Sequence, residues 1–145
     1  MILLSIPLFY VERAAAAQAF YCHQLGFHLE FAHRLDPLKD DPCYMGISRD
    51  GIWLHISSYS GDGVPGSVAN LIVDNIDEIY AEYAKQGLQI DTPPTDQPWG
   101  SREMYIKDPE GNSLRYIQPK SLEPETEETP QEESNSTKIE VADWN

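Results

Sequence analysis

Apolar positions along the chain fall into short runs, and the spacing inside each run sets the element. Residues 2–11, ILLSIPLFYV, are apolar with no helical period, which predicts a strand buried on both faces. The alanine-rich stretch 13–25 predicts a helix, and Gly26 suits the left-handed position just beyond it. A strand is expected over 27–33, a loop over LDPLKDDP, and two strands, CYMGIS and GIWLHISS, flanking the hairpin signal Arg49-Asp50-Gly51. After the linker SYSGDGVPGS come a strand VANLIV, a helix IDEIYAEYAKQG ended by Gly87, and a short strand LQI. The run DTPPTDQPWG reads as a loop, and REMYIKD and NSLRYIQ as a second hairpin across Pro109-Glu110-Gly111.

The two halves repeat. Val11-Glu12-Arg13 before the first helix matches Val73-Asp74-Asn75 before the second, and Tyr21 and Tyr83 follow those valines at equal distance. Met45 and Ile47 ahead of one hairpin match Met104 and Ile106 ahead of the other. Each half is therefore β-α-β-β-β. The expected fold is α+β: two βαβββ modules forming a curved mixed sheet whose concave face encloses a cavity.

Charge narrows the partners. Residues 1–119, taken as one domain, carry 16 acidic and 8 basic residues, and residues 120–145 carry 8 and 2. A net negative body argues against nucleic-acid phosphate and leaves room for a cationic ligand. Residues 120–145, rich in Glu, Pro, Ser and Thr, are expected to be a mobile acidic tail that is dispensable for folding, with IEVADW and its Trp144 the part apolar enough to dock. Cys22 and Cys43 are too few for a disulfide framework and read as thiols in a reducing compartment. No run approaches the length of a membrane span, and the start lacks a basic region and cleavage site, so a cytoplasmic protein is expected.

Candidate chemistry is sparse. Cys22 and His23 are adjacent on a helix and point apart, no serine sits in an elbow pattern, and no phosphate-binding glycine loop occurs. His23, His28 and His33 recur every five residues, which fits neither a helix face nor a strand face and reads as surface. Trp99, between Pro98 and Gly100 in a polar loop, is out of place as core and reads as a ring presented at a cleft.

The repeat and the run DPEGN before the last strand resemble the glyoxalase, or vicinal-oxygen-chelate, superfamily. Within it, AFYCHQLGF, ISRDGIWLHIS, IDEIYAEYAKQG and above all QPWGSREMYIKDPEGNSLRYI resemble the bleomycin resistance proteins, over about residues 5 to 118. The resemblance implies metal-free sequestration of a flat, cationic glycopeptide antibiotic by a cytoplasmic homodimer, with no cofactor, no nucleic acid and no membrane. It also implies clefts closed by two chains that exchange the N-terminal strand at Pro7.

Metal-ligand positions of the superfamily's enzymes fall on Ile6, His55, Val68 and Arg115, of which only His55 is a usable ligand, so no metal dependence is expected. By the same resemblance Phe31 takes the place of a stacking aromatic ring, Glu30 that of an acidic neighbour, and Asn70 a position that is aromatic in some members. His55 and Arg115 would form a polar floor, or Arg115 would pair with an internal acid. A metalloenzyme of the same superfamily, lyase or dioxygenase-like, and a binder of another metabolite are the alternatives.

Overall fold

Strands form where β-branched and aromatic residues alternate, and glycines at positive φ turn the chain between them. The computed structural model describes residues 1–122. The tail expectations, including docking of Trp144, concern residues outside that range. In chain order the elements are β1 (Leu8–Tyr10), α1 (Ala14–Gln18) continuing into a π-helical turn (Ala19–Gln24), β2 (His28–Arg34), β3 (Cys43–Arg49) and β4 (Ile52–Ser57). The second half contains β5 (Val68–Ile72), α2 (Ile76–Lys85), β6 (Thr92–Asp96), β7 (Ser101–Lys107) and β8 (Ser113–Pro119). Each half makes a four-stranded mixed sheet, ordered β1-β4-β3-β2 and β5-β8-β7-β6. The expected α+β architecture of two βαβββ modules is the one observed.

The register carries the repeat down to single bonds. Leu8 pairs with His55 and Asn70 with Arg115, both in parallel ladders. Val11 N–H donates to the Ser57 carbonyl and Val73 N–H to the Ile117 carbonyl, each at 2.9 Å. At the helix starts, Ala14 N–H donates to the Asp41 carboxylate and Ile76 N–H to the Gln118 carboxamide. One core joins both halves: Tyr21, Met45, Ile47 and Leu54 from the first pack with Tyr83, Met104, Ile106 and Leu114 from the second.

The DPEGN run ties the modules together. Asp108 accepts the N–H groups of Glu110 and Asn112, which closes the β7–β8 turn with Gly111 at φ 87°. Its other oxygen receives the Tyr21 hydroxyl from the first module's helix at 2.9 Å. Asn112, fully buried, donates to the Tyr10 carbonyl and to Asp108, while its oxygen accepts the N–H groups of Gly66 and Ser67 in the linker. A second tie runs from Arg49, which donates to the Leu25 carbonyl at 2.6 Å and to Glu82 of α2 at 2.8 Å.

Three elements depart from the sequence reading. The N-terminal strand is short: residues 8–10 pair, whereas Met1, Ile2, Leu3 and Leu4 are 68–108% exposed rather than buried on two faces. Among the described residues the sheet offers β1 a single neighbour, β4, and leaves residues 1–4 uncovered. LQI forms no strand, and a strand instead occupies Thr92–Asp96 through Pro93 and Pro94. That is possible because β6 is an edge, and its ladder to β7 is interrupted between Thr92 and Thr95, where the two prolines sit. The Asp50-Gly51 hairpin is as expected, with both residues at positive φ.

Candidate functional site

Period two along β7 sets Ser101, Glu103 and Tyr105 on one face of the second sheet, opposite the core residues Met104 and Ile106. On the neighbouring β8, the same face carries Arg115 and Ile117, and on β5 it carries Asn70. With Trp99 and Gly100 from the preceding loop they line a cavity of about 330 Å³.

Glu103 organises this cavity. It is only 5% exposed, and it accepts from Trp99 Nε1 at 2.6 Å, Tyr105 Oη at 2.8 Å and the Ser101 hydroxyl. Burial alone would raise its pKa. The three hydrogen bonds, helped by the Arg115 charge, outweigh that and bring it below the usual carboxylate value. Arg115 itself is exposed, its guanidinium carbon 5.0 Å from the centre of the Tyr105 ring. Among the described residues it forms no ion pair, so the sequence option of a direct bond to an internal acid is not what the geometry holds. Glu103 acts on it across space instead.

Trp99 is anchored and open at once. Its ring is 62% exposed while its N–H is fixed on Glu103. Gly100, at φ 99°, donates its N–H to the Gln97 carbonyl and turns the loop back into β7. The loop therefore spends a tryptophan on solvent and holds it there.

The first module presents a different surface. Phe31 and Tyr44 stack with ring centres 6.2 Å apart, and His55 meets Phe31, Tyr44 and Trp53 edge-on at 5.3–6.3 Å. Gly46, opposite Phe31 in the ladder, leaves the space that the Phe31 ring fills. The Tyr44 hydroxyl and His55 Nδ1 share a 2.7 Å hydrogen bond, and burial lowers the His55 pKa, which favours neutral imidazole. Glu30 lies in the β2 bulge and accepts from the Ser48 hydroxyl at 2.6 Å.

The six residues singled out from sequence thus fall into two groups. Trp99, Asn70 and Arg115 line the second module's cavity, and Phe31, Glu30 and His55 lie on the first module's sheet. The sequence reading missed Glu103, Tyr105, Ser101, Tyr44 and Trp53. The alternation S-x-E-x-Y across 101–105 is the signal that could have found the first three.

The positions of the superfamily's metal ligands do not fit a metal here. His55 and Arg115 occupy equivalent strands, but Ile6 and Val68 offer no donor atom and a guanidinium no lone pair. Among the described residues no three His, Cys, Asp or Glu side chains converge to hold an ion. His23, His28 and His33 are exposed, as a surface reading requires, and both cysteines are free thiols.

A family model described as glyoxalase superfamily protein matches residues 2–123. The chain belongs to the glyoxalase superfamily. Among solved structures of this superfamily's fold, a glyoxalase/bleomycin resistance protein/dioxygenase superfamily member from Sphaerobacter thermophilus is 25% identical, with a TM-score of 0.64 over 81% of this chain and 99% of that one. The bleomycin-binding protein from bleomycin-producing Streptomyces verticillus, complexed with copper(II)-bleomycin, is 26% identical, with a TM-score of 0.61 over 80% and 95%. A lactoylglutathione lyase from Agrobacterium tumefaciens shares the fold at 18% identity, with a TM-score of 0.63 over 82% and 95%. Structures similar to this chain thus include both a binding protein and a lyase. No curated protein sequence matches it significantly. No helix among the described residues is long and apolar enough to cross a membrane.

Proposed function

We propose that this chain binds and sequesters a flat, cationic antibiotic of the bleomycin type, without chemistry and without a metal, in the clefts of a cytoplasmic homodimer. The observation that carries the reading is Trp99, an exposed ring held by a buried carboxylate. A ring fixed in advance loses little conformational freedom when a flat partner arrives. Phe31 offers the second face, backed by Tyr44, and Glu30 a carboxylate for a cationic group. His55, Arg115 and Asn70 supply polar contacts. The likeness to the Streptomyces verticillus protein, whose ligand is copper(II)-bleomycin, supports the same ligand class.

The reading uses two chains, because the aromatic group and the Trp99 group lie on separate sheets of one chain. Packing two copies sets one group of each chain against the other group of its partner. The exposed segment 1–4 supplies apolar surface for that contact, pivoting at Pro7, whose carbonyl is held by His55 N–H.

Titration calorimetry with bleomycin tests the reading. The parent chain should bind with one site per chain, and Trp99→Ala should weaken binding about ten- to a hundredfold in a chain that still unfolds cooperatively, its melting temperature lowered by the lost hydrogen bond to Glu103. Equal affinity in parent and variant would remove the stacking role. Absence of binding by the parent would remove the bleomycin assignment.

A further inference from the structure

The cavity beside Trp99 has an unusual balance of charge. Its one carboxylate, Glu103, is buried and already accepts three hydrogen bonds, so it has little left to offer a ligand. Its one cation, Arg115, is exposed and has no ion-pair partner among the described residues. In a chain of net charge -14, the charge available at the floor of this cavity is positive.

Arg115 is also held in place. Tyr105 lies beside it in the β7–β8 ladder, and the guanidinium sits over that ring. The ring is fixed in turn, because its hydroxyl donates to Glu103. A guanidinium whose carbon lies over the ring and which makes no ion pair among the described residues has its N–H fork free to meet two oxygens at once. On the other side, β5 sets Asn70 directly across from Arg115, exposed and lining the same cavity. A carboxamide next to a guanidinium adds a further donor to the same site.

We propose that Arg115 and Asn70 form an anion subsite beside Trp99, which takes a planar carboxylate attached to a flat aromatic ring. This rests on Trp99 being the stacking face and widens the ligand class beyond the cationic type: a flat ring that bears an anionic group is taken with that group at the Arg115 end. Glu103 contributes at a distance. It orients both Trp99 and Tyr105, and so fixes the spacing between stacking ring and fork.

Titrations of the full chain with naphthalene-2-carboxylate, naphthalene-2-carboxamide and bleomycin separate the possibilities. The parent chain should bind the carboxylate about ten- to a hundredfold more tightly than the amide, the scale of a charge-assisted contact. Arg115→Gln should abolish that preference, and Asn70→Ala should reduce it. Added salt should erode it in the parent and leave amide binding unchanged. Trp99→Ala should weaken carboxylate and amide alike. The subsite is overturned if carboxylate and amide bind equally, if neither binds, or if the preference survives Arg115→Gln. Bleomycin reports separately: a parent chain that prefers the carboxylate yet does not bind bleomycin keeps the subsite and loses the antibiotic reading. One that binds bleomycin but does not prefer the carboxylate does the reverse.

Discussion

Glu103 is the residue on which the cavity depends, since Trp99, Ser101 and Tyr105 all donate to it. Its folded pKa lies below the ordinary 4.5, so folding favours the ionised form. The stability it contributes is therefore present above that ordinary value and lost as pH falls through the folded one. In a Glu103→Gln variant the neutral side chain cannot titrate. The melting temperature of the variant should lie below that of the parent near neutral pH, and the gap should close in acid, as pH falls below the ordinary carboxylate value and through the folded one. A gap that stays constant with pH would mean that folding does not favour the ionised form. Trp99 was legible in the sequence because its neighbours, Pro98 and Gly100, leave a large ring with no core to enter. Glu103 was not legible, because a glutamate on a strand reads as solvent-facing until the donors around it are known.

At the scale of elements, the aromatic surface of the first module depends on β3 having no side chain at Gly46. A Cβ there would collide with the Phe31 ring, which is 41% exposed and so has room to swing outward. Gly46→Ala should fold, with a stability loss of about 1–2 kcal/mol, but displace Phe31 from Tyr44 and His55. On the proposed reading, bleomycin binding should fall in calorimetry by a similar factor to that in Phe31→Ala. Binding equal to the parent would remove Phe31 from the site. Most strands were legible from their alternation. The β6 strand was not, because Pro93 and Pro94 resemble loop residues, and only an edge position makes such a strand possible. The first strand failed in the opposite way: an apolar run promised burial, but only a neighbour can supply it, and among the described residues the ladder to β4 spans only residues 8–10.

For the whole molecule, the repeat predicted the architecture, whereas the bonds that lock the two halves remained hidden. Asn112 touches the first strand, the linker and Asp108, so Asn112→Ala removes the side-chain partner of the Gly66 and Ser67 N–H groups and of the Tyr10 carbonyl, all in part-buried bonds. The loss should be about 2–4 kcal/mol in urea unfolding, and a loss below about 1 kcal/mol would show that the clamp is dispensable. The N-terminal segment belongs to the same scale. On the proposed reading, removing residues 1–6 should leave the single-chain core intact while converting a dimer to a monomer in light scattering and abolishing bleomycin binding. A truncated chain that remains dimeric would place the interface elsewhere.

Two of the sheet edges, β2 and β6, have a bearing on abundance. One is broken by the β2 bulge at Glu30 and the other by the prolines of β6, so neither offers an unbroken row of ladder groups to a stray strand. A catalyst turns over and can be scarce; a sequestering protein removes one molecule per site and must match its target in number. On the proposed reading, a cell relying on this chain would have to hold it at the concentration of the drug it neutralises. Under such crowding, a sheet that recruited further strands would be lost to fibres, and the interruptions at β2 and β6 close two of the four sheet edges to that route.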